Sequence, residues 1–528
     1  MKNDIKINKE NELYQINEVA KVLNIDEKYL ECYGKYKAKI NLEIMNDYHN
    51  SNGKLILVTS MNPTKYGEGK TTISIGLNDA LCMLGKKSIV ALREPSLGPV
   101  FGTKGGATGA GKARIVPKDD IDLHFTGDIH AIEACNNLLC AIIDNHIFQG
   151  NLLNLDSNEI YVRRCIDIND RELRSVTLKN GRKESFVITA ASEIMAIVCL
   201  AKDIDDLRKR LENILIGKNK SGKPVFAREL NCIDALLILL KDAIKPNLVQ
   251  TLEHNPVLVH GGPFANIAHG CSSIIATSLG LLLADYVVTE AGFGADLGAI
   301  KFFDIKNRIL KHQVDAVVMN VTIRAIKYHG SNSLKEGMEN VKIHLSNIEK
   351  YTSNIVVTIN KFEDDKEEDL EEVITYINNL GYKCTICDSY KNGGKGALGL
   401  ANEVINICEN KTNVKDLYDV NDSIKNKIEI ICKEIFRTDV EYSDKAIEKI
   451  KWLEENNLYK YPLCIAKTPY SLSDDPLKLN ATSNFKLTVT DISLSRGAGF
   501  IVVYMGNILL MPGLTEKPAY LNMKFSNN

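Results

Sequence analysis

Two glycine-rich segments hold the residue types that handle phosphate. The first reads Ser60-Met-Asn-Pro-Thr64-Lys65-Tyr66-Gly67-Glu68-Gly69-Lys70-Thr71-Thr72. Between a strand and a helix, such a turn aims backbone N–H groups and a helix N-terminus at an anion. Lys70 would then reach the terminal phosphates of a nucleoside triphosphate, and Thr71 would hold its Mg2+. Residues Thr64 to Thr72 form the nucleotide-binding segment on this reading. The usual spacing wants a glycine six residues before the lysine, and Thr64 stands there instead. The strand–loop–helix setting therefore carries the assignment, with a plain strand-to-helix turn as the alternative.

The second segment, Arg93 to Gly111, reads REPSLGPVFGTKGGATGAG and follows directly on the apolar run Ser88 to Leu92. Glycine lets backbone approach a ligand closely and adopt positive φ. Arg93, Lys104 and Lys112 surround that backbone with positive charge, which suits a phosphorylated anion. A long irregular segment inside a compact domain is usually functional. The alternative, a flexible linker, would carry more serine and fewer apolar residues. Two further glycine loops follow apolar runs, Val259 to Gly270 and Glu290 to Gly298. In an open parallel sheet the carboxyl ends of the strands line one crevice, so four such loops would share one large site. His260 and His269 read as structural. Glu290, Asp296 and Asp304 are either Mg2+ partners or solvated surface.

The elements that must position these loops are legible as apolar runs. Leu55 to Thr59 reads as a buried parallel strand, followed by a helix from about Thr71 to Leu84 that Gly85 stops. Strands recur at Ser88 to Leu92, Val257 to His260, Tyr286 to Glu290, Ala316 to Val321, Ile355 to Ile359 and Lys383 to Cys387. Helical segments separate most of them, as at Leu370, Val373, Ile374 and Ile377. The alternation predicts an α/β protein with a doubly wound, mostly parallel sheet like that of P-loop nucleoside triphosphate hydrolases. Residues 1–150 and 246–438 would form this discontinuous nucleotide-binding domain. Residues 151–245 read as a small α/β insertion: strands Ile160 to Ile168 and Glu184 to Thr189, then helices Ser192 to Lys202, Asp203 to Ile214 and Ile233 to Ala243. Residues 439–528 read as a C-terminal α+β domain with short strands at Lys486 to Asp491, Phe500 to Tyr504 and Ile508 to Met511. The first fifty residues look helical around Ile16, Val19, Ala20 and Leu23, with a polar stretch from Glu31 to Lys39.

With 528 residues the chain exceeds a single core. Its net charge of −2 gives no general attraction to nucleic acid. The longest apolar stretch, Ile274 to Val288, is interrupted by Asp285 and too short to span a bilayer. The 13 cysteines are scattered, with no secretory segment ahead of them, and read as reduced thiols in a cytoplasmic protein. Cys384 and Cys387 make one CxxC in a strand-like run and read as structural.

Taken together, the motifs resemble those of the formate–tetrahydrofolate ligase family. The similar segments are GEGKTT (Gly67 to Thr72), REPSLGPVFG (Arg93 to Gly102), DLHFTGD (Asp122 to Asp128), KPNLVQTLE (Lys245 to Glu253), VHGGPFANIAHG (Val259 to Gly270), ADYVVTEAGFGADLGA (Ala284 to Ala299), YSLSDDP (Tyr470 to Pro476), GAGFIV (Gly497 to Val502) and MPGL (Met511 to Leu514). The resemblance implies a reaction of formate, ATP with Mg2+ and tetrahydrofolate that yields 10-formyltetrahydrofolate, ADP and phosphate through formyl phosphate. It implies that Lys70 stabilises the transferring phosphoryl. Arg93, Gly102, Lys104, Gly105 and Gly106 would hold the acyl phosphate. Glu94 and Asp128 would sit near the pocket and bind a monovalent cation such as K+ or NH4+. His124 and His130 would be proton relays or core histidines. A pterin slot between Phe362 and Tyr390 is implied too, with Tyr390 standing where the family has Trp, and so is a homotetramer. Further departures from the family pattern are Thr108, Lys112, Ser331, Lys395 and Pro469, which spare the phosphate loop and alter the folate end. Two other readings are a relative that activates a different small carboxylate and a non-catalytic ATP-binding paralogue.

Overall fold

The computed structural model describes residues 12–48, 53–102, 108–480 and 483–523. Its central elements, in chain order, begin with β1 (Lys54–Ser60), α1 (Lys70–Met83), β2 (Ser88–Leu92), α2 (Asp128–Phe148), β3 (Asn247–Thr251) and β4 (Pro256–Val259). They continue with α3 (Ile274–Leu283), β5 (Tyr286–Glu290), β6 (Ala316–Val321), α4 (Ile323–His329) and α5 (Leu334–Glu349). The last are β7 (Ile355–Asn360), α6 (Glu367–Asn379), β8 (Lys383–Cys387) and α7 (Leu398–Ile407). The protein is α/β, with a large, mostly parallel sheet. Its parallel part runs β4-β2-β5-β1-β6-β7-β8 in space. β3 pairs antiparallel with β4 at one edge.

These strands are continuous apolar runs because both faces of the sheet are covered. Leu55 and Leu57 of β1 point into one apolar cluster with α3, α5 and α6, while Ile56 and Val58 point into another with α1 and α7. The α1 helix starts after Gly69, whose φ of +73° puts it in the left-handed region, and stops ahead of Gly85 at +74°. The first turn of α6 carries Glu367, Glu368 and Asp369, which suit the positive end of the helix dipole.

The sequence expectations fail in three places. Among the described residues of the first fifty, helix is limited to Ile16–Val22 and the short Ile44–Asp47 and Glu27–Tyr29 turns. The polar stretch contributes instead to a hairpin, Leu30–Cys32 with Ala38–Ile40, that extends the large sheet through β3. Lys39, at the end of that polar stretch, is fully buried in an ion pair with Asp128. Two expected strands are divided: Glu184 to Thr189 into Lys183–Glu184 and Val187–Ile188, and Ile160 to Ile168 into Leu155–Ile160 and Cys165–Ile166. Arg164 interrupts the latter by pairing with both Asp144 and Glu184. Ile508 to Met511 is not a strand. The Leu510 carbonyl accepts the Ile188 N–H and the Met511 carbonyl accepts Arg174 Nε, both at 2.9 Å, so this backbone is used by the middle of the chain.

The 21-residue α2 packs with helices Glu193–Leu200, Ile204–Glu212 and Ile233–Leu240 into one apolar cluster. Cys464, Ala466, Phe500 and Val502 of a four-stranded C-terminal sheet join the same cluster. All thirteen cysteines are free thiols. Among the described residues, no helix is long and apolar enough to cross a membrane.

Candidate functional site

Parallel strands end on the same side, so the loops after β1, β2, β4, β5, β6, β7 and β8 open on one edge of the sheet. The loop after β1 carries the phosphate motif. Gly67 and Gly69 have φ of +79° and +73°, and a Cβ at Gly69 would lie 2.4 Å from Asn360 Nδ2. The second glycine is thus required twice over, by backbone conformation and by close approach. Thr64 has no positive φ. Its N–H (2.8 Å) and hydroxyl (2.5 Å) both donate to Glu68 Oε1, and this is how the loop closes without a glycine at that position. Lys65 and Tyr66 are exposed at the loop tip, and Thr72 is buried behind it.

Lys70, the first residue of α1, donates to Ser60 Oγ at 3.2 Å. The Thr71 hydroxyl lies 3.1 and 3.0 Å from the two oxygens of Glu290, at the end of β5. This contact answers the question left open for Glu290: it is a buried carboxylate directed at the phosphate loop. Asp296 is buried beside Lys467 at 3.3 Å, and Asp304 receives the Tyr351 hydroxyl at 3.2 Å. Neither is solvated surface.

Arg93 extends from the end of β2. Its Nη1 donates to the Pro263 carbonyl at 3.3 Å, and its Nε is buried without a partner. The Glu94 N–H donates to the Gly261 carbonyl at 2.8 Å, which joins the loops after β2 and β4. Burial, then the charge of Asp128, pushes the Glu94 carboxyl well above the usual carboxylate range, and its Oε2 has no partner. Asp128 differs: Lys39 Nζ lies 2.7 and 2.9 Å from its two oxygens, and Asn247 donates at 2.8 Å. A lysine ammonium already neutralises the carboxylate expected to help bind a cation. His124 and His130 are both exposed.

Gly102 lies beside Asn169, where a Cβ would come within 2.6 Å of Nδ2. Lys104, Gly105 and Gly106 lie outside the described residues. At the far end of the segment, Gly109 abuts Ile75 of α1. Gly111, with φ of +61°, would place a Cβ 2.0 Å from the Tyr390 carbonyl oxygen. The Lys112 N–H donates to that same oxygen at 2.9 Å. The glycine segment therefore begins at β2, passes α1 and ends against Tyr390, just beyond β8. Tyr390 is 52% exposed, which leaves its ring free for a ligand. Phe362 is two residues past β7, the strand next to β8, and the Arg324 guanidinium lies 4.1 Å from its ring centre.

His260 is buried with both ring nitrogens engaged, by Ser273 Oγ at 2.7 Å and the Ala243 carbonyl at 2.8 Å. Burial lowers its pKa to about 4, so it is a neutral structural ring. His269 is also held neutral, by burial and then by Lys306 and Arg93, but neither of its ring nitrogens has a partner. Among the described residues, no group of three or more His, Cys, Asp or Glu is gathered to hold a metal. A cavity of about 200 Å3 lies elsewhere, lined by residues such as Leu139, Ile194, Trp452 and Tyr504. Concavity alone would misplace the site, since the strand-end loops hold the phosphate-binding residue types.

Sequence reasoning passed over a carboxylate pair beside Gly394, with Asp79 buried and Glu253 half-buried. Asp79 of α1 accepts from Thr251 and Asn255, each at 2.7 Å, and Glu253 accepts the Gly394 N–H at 2.7 Å. Each keeps one oxygen without a partner. Burial, then the Glu253 charge, raises Asp79 to about 8. An acid with a raised folded pKa costs nothing below its unfolded pKa, and its penalty grows as pH rises toward the folded value. Asp79→Asn, which can donate to Glu253, is expected to stabilise the protein by on the order of 1–3 kcal/mol at pH 8.5. Little gain is expected at pH 4.5, as read from chemical denaturation midpoints. Equal gains at both pH values would contradict the titration.

The fold and the site define an α/β protein that gathers glycines, cationic side chains and aromatic residues on loops at one edge of a mostly parallel sheet. The chain belongs to the formate–tetrahydrofolate ligase family, whose sequence model matches residues 2–528. It is similar to the formate–tetrahydrofolate ligase of Campylobacter concisus (strain 13826), with 49% identity over 544 residues that cover 99% of this chain and 98% of that protein.

Proposed function

We propose that this protein is an ATP-dependent ligase that joins formate to tetrahydrofolate, giving 10-formyltetrahydrofolate, ADP and phosphate. The observation that carries the reading is the order of groups along one sheet edge. Arg93 follows β2, the Thr71–Glu290 contact joins the loops of β1 and β5, and the aromatics Phe362 and Tyr390 follow β7 and β8. The phosphate loop thus lies between Arg93 and the aromatics, and one crevice presents all three to a nucleotide, an activated one-carbon unit and a pterin.

In this reading the sheet is the doubly wound sheet of a P-loop nucleotide-binding domain formed by residues 1–150 and 246–438. Residues 151–245 are an insertion and 439–528 a C-terminal domain. The working assembly is a cytoplasmic homotetramer. Thr64 to Thr72 cradle the nucleotide. Thr71, backed by Glu290, offers the oxygen donors that suit Mg2+ arriving with ATP. Glu94, with its unpartnered buried oxygen, is the oxygen ligand available to a monovalent cation, and Asp128 fixes Lys39 instead.

Formate is a poor electrophile because it is an anion with a poor leaving group. When a formate oxygen takes the γ-phosphoryl, ADP departs and formyl phosphate forms. N10 of tetrahydrofolate attacks its carbon, the C–O bond to phosphate breaks, and the N10 proton leaves with the departing phosphate. Such steps depend on positioning and charge neutralisation more than on a strong base. Lys70 neutralises the phosphoryl in flight. Arg93 offers a planar fork to the acyl phosphate, with Gly102, Lys104, Gly105 and Gly106 as its further contacts. Phe362 and Tyr390 hold the pterin. His124, being exposed, is left the role of a surface proton relay.

The test is turnover by purified protein with formate, ATP and tetrahydrofolate omitted in turn. ADP release should require all three, and release without folate would overturn the reading. Tyr390→Trp, which enlarges the exposed ring, is expected to tighten tetrahydrofolate binding by about 0.5–1.5 kcal/mol. That is a two- to tenfold lower KM for tetrahydrofolate, roughly, with the KM for ATP unchanged.

A further inference from the structure

The carboxylate of Glu68, inside the phosphate loop, is buried, with a side chain 1% exposed. Each of its oxygens takes two donors. Oε1 receives the Thr64 N–H and hydroxyl, while Oε2 receives the Thr322 hydroxyl at 2.6 Å and Arg324 Nε at 3.2 Å. Arg324 also donates through Nη2 to the Gly67 carbonyl. The Glu68 carbonyl accepts Asn320 Nδ2 at 2.7 Å and Asn360 Nδ2 at 3.1 Å. The phosphate loop is thus fastened to the ends of β6 and β7. The same Arg324 guanidinium lies over the Phe362 ring at 4.1 Å.

The side chain of Arg324 is 37% exposed. A partly solvated ion pair adds little to stability, so its effect lies in position. Its guanidinium fork grips the loop backbone at Gly67 and the loop carboxylate at Glu68, and its face covers one side of an aromatic ring. Phosphate bound in the loop would hold Gly67 and Glu68 in this arrangement, and with them Arg324. A planar ligand on the other side of Phe362 would hold the ring, and with it Arg324. The ordering of one side chain is then shared by two ligands, and whichever binds first relieves the second of it. Linkage requires the benefit to be reciprocal.

We propose that Arg324 couples the two substrate sites, so that nucleotide in the phosphate loop tightens binding of tetrahydrofolate at Phe362 and tetrahydrofolate tightens binding of nucleotide. The proposal rests on the reading of Phe362 as part of the pterin slot. Arg324 acts here as a positioning residue, through the loop and the ring.

The test uses the full-length protein and direct titrations, without turnover. The Kd for tetrahydrofolate is measured with and without a saturating Mg2+ complex of a non-hydrolysable ATP analogue, and the Kd for the analogue with and without tetrahydrofolate. In the unmodified protein both ratios should be equal and at least about fivefold, the low end for coupled sites. Arg324→Met keeps the aliphatic contact with the ring but loses the fork. Its ratios should fall to about one while each ligand still binds alone. Arg324→Lys keeps only the charge and should recover a minor part. Phe362→Leu should also abolish the coupling while leaving Arg324 on Glu68, and it decides the matter if Arg324→Met does not fold. Independent binding in the unmodified protein, or undiminished ratios in Arg324→Met or Phe362→Leu, would overturn the proposal. If the protein binds no tetrahydrofolate at all, the functional reading fails first. If it binds both ligands independently, only the coupling fails.

Discussion

Lys70→Ala is expected to remove nucleotide binding and turnover together, with kcat/KM lowered by at least about 10²–10³-fold, as when one preorganised charge-stabilising donor is lost. The geometry supports a concerted loss. Lys70 is the first residue of α1, immediately after the left-handed Gly69, and its ammonium lies across the loop mouth at 3.2 Å from Ser60 Oγ. Truncation removes that charge but leaves the N–H groups of the helix start and the Glu68 anchor in place, so the loop should keep its shape. The check is titration of an ATP analogue beside steady-state turnover. Retention of normal nucleotide affinity would remove Lys70 from the phosphates.

Arg93→Ser is expected to behave differently, with turnover reduced by about 10²–10³-fold while the Kd for the ATP analogue stays within a few-fold. Arg93 belongs to another strand end, and the loop around it is held by the backbone bond from Glu94 to Gly261. Removing the guanidinium frees the Pro263 carbonyl and eliminates a buried, unpartnered Nε, so the fold should tolerate the change. Arg93→Lys keeps the charge without the bidentate fork and should recover only part of the rate. Equal losses in nucleotide affinity and turnover would place Arg93 at the nucleotide instead of the acyl phosphate. Unchanged turnover would remove it from the reaction.

The central strands were legible because burial on both faces writes itself as an unbroken apolar run. Ser88–Leu92, Tyr286–Glu290 and Ala316–Val321 have the bounds their sequence predicts. The phosphate loop was legible because its residues are contiguous. Features made by residues far apart in the chain were not. Lys39 and Asp128 are 89 positions apart, and Glu68 and Arg324 are 256 apart. Glu68 and Asp128 stand out only within their own motifs, and nothing beside them in sequence marks Arg324 or Lys39 as the partner. Helix α2 was passed over although Ile132, Cys135, Leu139 and Ile143 mark a buried helical stripe, because polar residues separate them and no strand precedes them closely. Thr322 and Arg324 could have been found from position alone, since they immediately follow β6, where strand-end residues face the crevice.

The contacts that seat residue 390 run largely through its main chain. The Tyr390 carbonyl receives Lys112 and crowds Gly111, while half of the side chain faces outward. The ring at this position can therefore be exchanged without rebuilding the scaffold that presents it, whereas position 111 tolerates no side chain. Evolution, or a laboratory library, has one adjustable dial and one fixed bearing here: aromatic area can be tuned for different folate forms by varying position 390, so long as the glycine beneath it is left alone.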